Sequence, residues 1–378
     1  MARMENKRPK ASPLILVAGA RPNFMKVAPV LRALASREHH FLPALVHTGQ
    51  HYDEGMSDIF FRQLGIPEPD VHLGVGSGSH GAQTGRILAA FEQYLIASSP
   101  RPRGVVVVGD VNSTMACALA AVKLGIPVAH VEAGLRSFDR SMPEEINRVV
   151  TDAVADLLLV SEPAGEENLH REGIPAQRIR YTGNVMIDTL ARELNAAKEL
   201  AVAASLGLSP GSFAFVTLHR PSNVDIPERL EDLVRFLEAL ARRLPVVFPV
   251  HPRTTERLRA AGLAVRLESA HGVRCLQPLG YRESLGLMAT ARLAVTDSGG
   301  VQEETTFLGI PCLTLRRSTE RPVTVSAGTN TVVGHDLALA ERLVDEILAG
   351  RYKSGGPVPG WDGRAAERVV DALVEAWD

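Results

Sequence analysis

Short apolar runs alternate with segments of helical periodicity along nearly the whole chain. A first set of runs covers residues 14–18, 41–47, 104–108, 128–131 and 157–160, and a second covers 213–217, 246–250, 273–276, 293–296 and 312–315. These runs are continuous rather than alternating, as in strands covered on both faces. Between them the apolar spacing predicts helices over 27–35, 114–124, 144–155, 226–243 and 301–308. Such alternation implies right-handed βαβ units and parallel sheets. A long helical stretch over 187–206, ending in Gly207-Leu208-Ser209-Pro210-Gly211, separates the two sets. The expectation is two similarly built α/β domains, 1–184 and 185–363, with a final helix, 364–378, crossing back onto the first.

Composition narrows the function classes. At 378 residues the chain is too long for one ordinary core. Its 41 basic and 43 acidic residues give a formal charge of −2, so nothing in bulk draws it to nucleic acid or an anionic membrane. Any phosphate binding must be local. Cys117, Cys275 and Cys312 are far apart in sequence, form no metal-type pair and suit a reducing compartment. Cys117 and Cys312 lie in apolar stretches and read as small buried hydrophobes. The basic start is followed by an apolar run that ends at Arg21-Pro22, too short for a membrane span and better read as a first buried strand. A cytoplasmic protein is expected.

In parallel sheets, ligands bind beyond the carboxyl ends of the strands, so polar residues directly after apolar runs are the ones that matter. After the first run, Gly19 permits a tight turn, and Arg21 and Lys26 bring positive charge to a helix N-terminus, where anions bind. After four consecutive valines comes Gly109-Asp110-Val111-Asn112-Ser113-Thr114. Asn112 or Ser113 can cap the next helix, which leaves Asp110 for a ligand. The most informative stretch is His130-Val131-Glu132-Ala133-Gly134-Leu135-Arg136, followed by Ser141-Met142-Pro143-Glu144-Glu145-Ile146-Asn147-Arg148. Glu132 closes an apolar strand, where an unused carboxylate is costly. Ser141 and Glu144 fit a capping box, and Glu144 and Arg148 fall on one helix face. Asp110, Glu132 and Glu144 are expected to face one cleft, and crowded carboxylates suit acid/base work.

In the second half, His219 and His251 each follow an apolar run, and His219 has the side chain best suited to proton transfer near neutrality. Leu293–Thr296 runs into Asp297-Ser298-Gly299-Gly300. Ser298, Gly299 and Gly300 expose backbone N–H groups at a helix start, a cradle for a pyrophosphate. Glu304, one turn in, is placed to take ribose hydroxyls, and Arg316, Arg317 and Arg321 add cations.

Assembled, these stretches resemble the non-hydrolysing UDP-N-acetylglucosamine 2-epimerases. The matching segments are GARPNFMKVAP, TGQHYDEGMSDIFF, GDVNST, HVEAGLR, PEEINR, TGNVMID, LHRPSN, PVHPRT, TDSGGVQEE and STERP, in order across residues 14–334. The resemblance implies two Rossmann-like domains facing a cleft, as in GT-B glycosyltransferases, and a homodimer. It implies no cofactor and no metal. UDP leaves carbon 1 as the proton on carbon 2 is removed, giving a 2-acetamidoglucal, and UDP then adds back after reprotonation on the other face. By matching motifs, Asp110, Glu132, Glu144, Arg148 and His219 would be catalytic. Arg21, Lys26, His251, Ser298, Gly299, Gly300 and Glu304 would hold UDP. Many bacterial members are activated by a second UDP-GlcNAc; Gln50, His51 and Gln83 match that site in part, with Ala82 where arginine is common. Pro221-Ser222 and Val323 also depart from the family's usual residues.

Relatives acting on UDP-2,3-diacetamido-glucuronic acid share several segments, and Arg136 or Arg140 would offer the extra cation such a substrate wants. A hydrolysing relative would release free N-acetylmannosamine. A glycosyltransferase would use the same UDP cradle without clustered carboxylates opposite the donor, and a UDP-sugar sensor would leave those carboxylates unexplained.

Overall fold

The computed structural model describes residues 12–37, 40–50 and 64–377. Two parallel sheets carry the fold. The first has seven strands in the order β3-β2-β1-β4-β5-β6-β7: β1 Ser12–Ala18, β2 Phe41–His47, β3 Val71–His72, β4 Gly104–Val108, β5 Val128–Ala133, β6 Leu157–Val160 and β7 Ile179–Tyr181. The second has six, ordered β10-β9-β8-β11-β12-β13: β8 Ala214–Thr217, β9 Val246–Pro249, β10 Val273–Leu276, β11 Leu293–Thr296, β12 Cys312–Thr314 and β13 Asn330–Val332. The expected pair of Rossmann-like α/β domains, in a GT-B-like arrangement, is present.

The continuous apolar runs arise because each strand feeds two cores. Leu14, Leu16 and Ala18 pack on one face of the first sheet, and Ile15 and Val17 on the other. In the second sheet Ala214 and Val216 face one core while Phe213 and Phe215 face the other. The short strands β3, β7 and β13 give no such run. β3 and β7 are the two edges of the first sheet, and β13, Asn330-Thr331-Val332, is an edge of the second. Edge strands tolerate polar residues, so hydropathy does not mark them.

The seam is broken rather than continuous. A helix spans Val185–Glu199, the chain then passes through Ala201 in the left-handed region (φ 49), and a short turn Val202–Ser205 follows. The single helix expected over 187–206 is corrected accordingly. Val185 and Met186 belong to the first core and Leu190 and Ala197 to the second, so this helix joins the two. The helix Ala365–Trp377 does return to the first half. Val369, Val370 and Leu373 enter its core, and Asp188 caps the helix by accepting from the N–H groups of Ala365 (3.0 Å) and Ala366 (2.7 Å). Cys117 and Cys312 are buried, free thiols. Among the described residues no helix is long and apolar enough to cross a membrane.

Candidate active site

Both sheets reverse their winding between the first and fourth strands in chain order, β1/β4 and β8/β11. The motifs of Lys26, Asp110, His219 and Ser298 follow those strands, at the switch points where open α/β sheets bind ligands, while Glu132 lies in the neighbouring β5 and His251 follows β9. After β1, the Asn23 side chain accepts from the N–H groups of Gly19 (3.1 Å) and Ala20 (3.0 Å) and donates to the Val108 carbonyl (3.0 Å), fixing this turn to the end of β4. Lys26, one turn into the helix Arg21–Ala35, is buried. Gly109 has φ 66, the left-handed region that favours glycine, and a Cβ there would come 2.8 Å from Lys26 Nζ, which places the lysine tip against this turn. The side chain of Arg21 and the whole of His51 lie outside what is described.

Glu132 does not close β5 but bulges out of it. The register against β6 slips between Val131 and Ala133, and Glu132 has φ 74, an uncommon conformation for a side-chain-bearing residue. Its carboxylate is buried and pairs with Lys26 from the first half and Arg321 from the second. Burial opposes its charge, but the two cations outweigh it and hold its pKa below the ordinary value. Arg321 also reaches Glu303 (2.7 Å), whose own carboxyl is raised by burial, and Asn184 donates to the same Glu303 oxygen (2.8 Å).

Two sequence expectations about the next helix are corrected. The helix Pro143–Val154 has Met142 as N-cap without a side-chain cap, and Ser141 instead bonds Asp139 (2.6 Å). Arg148 does not pair with Glu144. It turns inward to Glu145 (2.7 Å) and to Asp110, while Glu145 also accepts from the N–H groups of Ser137 and Phe138 (both 2.9 Å). Glu144 points across the domain boundary to Arg220 (3.4 Å). Nor do Asn112 or Ser113 cap their helix, whose N-cap is Val111. Ser113 donates from its N–H (3.0 Å) and hydroxyl (2.7 Å) to Gln50, and Asn112 donates to Gln83 (2.9 Å) and accepts from Asn147 (3.2 Å).

On the second sheet, buried Asp297 follows β11 and organises the turn after β8. It accepts from the N–H groups of His219 (3.0 Å) and Arg220 (2.9 Å) and from the Asn223 amide (3.0 Å). His219 Nδ1 lies 3.1 Å from Asp297, and its ring is tilted against that of His251, centroids 5.2 Å apart. A carboxylate can only accept, so Nδ1 carries the proton and Nε2 is left to exchange one. Ser298 caps the helix Gly299–Leu308 with extended backbone and no side-chain capping bond, which suits an anion at the first-turn N–H groups. A Cβ on Gly299 would lie 2.7 Å from Glu320 Oε1 and 3.9 Å from the Arg321 guanidinium carbon. The glycine start of this helix therefore sits beside the arginine that grips Glu132. Gly300 faces the tip of Met186, and Glu304 accepts from the Tyr281 hydroxyl (3.0 Å), its pKa pushed up to about 7 by burial.

Several members of this cluster escaped sequence reading. Glu162 after β6 is fully buried near Arg321, and burial pushes its carboxyl up to about 8. Glu320 is held by Arg316 (2.7 Å), well below the usual range despite burial. For Asp297 the sequence does carry a signal, a carboxylate between an apolar strand and Ser-Gly-Gly. Glu162 offered no local pattern.

A profile of the family described as UDP-N-acetylglucosamine 2-epimerase matches residues 33–374. The chain is 41% identical over 366 residues to the UDP-N-acetylglucosamine 2-epimerase of Methanocaldococcus jannaschii, covering 95% of this chain and 98% of that one. It is 40% identical over 366 residues to the UDP-2,3-diacetamido-2,3-dideoxy-D-glucuronate 2-epimerase of Pseudomonas aeruginosa, covering 96% and 99%. The crystal structure of the Methanocaldococcus jannaschii UDP-GlcNAc 2-epimerase in complex with UDP-GlcNAc and UDP superposes with a TM-score of 0.88 at 40% identity, over 96% of this chain and 99% of that one. The chain belongs to the UDP-N-acetylglucosamine 2-epimerase family.

Proposed function

We propose that the protein is an isomerase that interconverts UDP-N-acetylglucosamine and UDP-N-acetylmannosamine by anti elimination of UDP and its re-addition. One observation carries the reading. The helix start at Ser298-Gly299-Gly300, which suits a diphosphate, and the bulged Glu132 share the same neighbour, Arg321. Carboxylates from one half thus adjoin an anion cradle from the other.

The chemistry follows from that adjacency. A proton beside an acetamido carbon is weakly acidic, so the barrier must fall through departure of UDP. As charge grows on the leaving pyrophosphate, Lys26 and the N–H groups of the cradle bind it more strongly than they bind the substrate, which lowers the transition state. Arg21 and His251 belong to the same grip in this reading, with Glu304 on the ribose. Asp110, Glu132, Glu144 and His219 supply the proton-transfer groups, and Arg148 orients Asp110. Removal and return of the proton on opposite faces need at least two such groups. Gln50 and Gln83, with His51, are the proposed contacts of a second UDP-GlcNAc. A cytoplasmic homodimer supplying UDP-ManNAc for polysaccharide synthesis completes the proposal.

The Pseudomonas relative keeps the diacetamido-uronate as a second reading. Its expected cation, Arg136, is however buried and committed to Asp152 (2.7 Å) and Glu172 (2.7 Å), which leaves exposed Arg140 for that role. Incubation with UDP-GlcNAc in deuterated water, followed by NMR, tests the proposal. Deuterium should enter at carbon 2 as the manno epimer appears. Exchange with the diacetamido-uronate alone would replace the first reading by the second, and exchange with neither would end both.

A further inference from the structure

His130 lies in β5, two residues before Glu132, and is completely buried. Its Nδ1 is 2.6 Å from Asp152 Oδ1 and its Nε2 is 2.8 Å from the Gly109 carbonyl. Both neighbours are oxygens. A backbone carbonyl only accepts, so Nε2 must donate. Asp152 accepts from Arg136 (2.7 Å) and from the Gly134 N–H (3.0 Å) on its other oxygen. Both donors are ones that an ionised carboxylate accepts, and the Arg136 guanidinium needs the negative form opposite it. An ionised carboxylate also only accepts, so Nδ1 donates too.

We infer that His130, donating from both ring nitrogens, is with Asp152 the positioning device for the reaction proposed above, fixing the turn that carries Asp110 and the turn that follows Glu132. The geometry is economical. Gly109 directly precedes Asp110 and Gly134 comes two residues after Glu132. The pair holds the carbonyl of one and the N–H of the other, so both turns are referred to a single rigid centre. The charged groups that face this centre are Asp152 from the helix Pro143–Val154, Arg136 from the turn after β5 with its second partner Glu172, Glu132 on the ring's own strand, and Lys26 beside Gly109. Neither His130 within its strand nor Asp152 within its helix ends an apolar run, so hydropathy does not mark them.

Two measurements test this inference. The first is the ring ¹⁵N–¹H spectrum of the intact protein at pH 7.5, with the His130→Gln spectrum assigning the peak. Protons on both nitrogens are expected, and a ring with one proton overturns the inference whatever the substrate proves to be. The second compares His130→Ala with His130→Gln, whose amide nitrogen falls near the position of Nε2. The alanine variant should lose kcat by about 10²-fold, as a catalytic group displaced by about 1 Å does, with KM and UDP affinity within about twofold, and glutamine should restore about tenfold. Unchanged kcat in the glutamine and alanine proteins, or a loss confined to KM, refutes the positioning role; if the alanine protein does not fold, the glutamine variant decides alone by a fall in kcat or its absence. A wild-type protein that exchanges no UDP-sugar defeats the proposed function and the catalytic part of this inference together, while the ring spectrum still decides whether both nitrogens donate.

Discussion

The two strand-end clusters hold their carboxylates by different means. On the first sheet, Asp110 is held by Arg148, and Glu132 by Lys26 and Arg321. On the second, Asp297 is held by two backbone N–H groups, one amide and a histidine. The second arrangement is complete within its own domain. The first is not, because Arg321 comes from the far sheet, as does the Arg220 that meets Glu144. The histidine turn is preformed locally, whereas the charge on the acidic side is set by Lys26 and Arg148 from its own half and completed by Arg321 from the other.

Removing the shared cation is the strongest way to break this comparison. Arg321→Met would leave Glu132 and Glu303 buried with their charge poorly compensated, and breaking a buried pair in that way costs about 3–5 kcal/mol. Asp297→Asn takes from its turn a hydrogen-bond acceptor, not the partner of a permanent cation, and should cost about 1–3 kcal/mol. Urea titrations of both proteins check the order; a smaller loss for Arg321→Met would mean that the acidic side does not depend on the far domain. Next comes His219→Asn, which keeps the turn but removes the proton-exchanging nitrogen. Its kcat should fall by about 10³-fold with UDP affinity retained, measured by epimer formation and by calorimetry.

How much of this could be read beforehand follows from the same physics. Strands buried on both faces betray themselves as runs such as the four valines before Gly109, and the residue after each run then falls at the ligand-binding edge. Asp110, His219 and Ser298 were legible for that reason. Partners that meet only through the fold were not. Glu144 and Arg148 have the spacing of an ion pair, yet Asp110 lies 38 residues earlier in the chain and competes for the arginine, and Glu145 takes its other side. Arg321 and Glu132 are 189 residues apart, so no local pattern could join them. The bulge at Glu132 was hidden too, because its apolar neighbours look like an uninterrupted strand.

The buried carboxyls give a finer test through pH. Glu162 has a folded pKa of about 8 against an ordinary 4.5 because burial disfavours its charge. The folded protein therefore keeps a proton that the unfolded chain has released. The stability this contributes is complete below about pH 4.5 and is lost as pH rises through about 8. Glu304, at about 7, acts with the same sign over a narrower range. Urea midpoints between pH 5 and 8 should fall with a slope of up to about 1.4 kcal/mol per unit from each group, and Glu162→Gln should roughly halve that slope. An unchanged slope would mean that burial does not hold the Glu162 carboxyl in its protonated form.

The smallest effect concerns the second contact across the boundary. Glu144 and Arg220 meet at 3.4 Å, with side chains 34% and 27% exposed. Pairs in such surroundings contribute under about 1 kcal/mol, and ions screen them over about 8 Å at physiological salt. Arg220→Gln should thus leave the urea midpoint nearly unchanged, in contrast to Arg321→Met. Its mark should appear in kinetics: the fall of kcat/KM with added salt in the wild type should flatten in the variant, because a screened pair has been removed. The Arg321–Glu132 pair is buried and should respond little to salt. If the two pairs proved equally sensitive, the distinction between a cation that sets charge inside the cluster and one that merely spans its rim would have no basis.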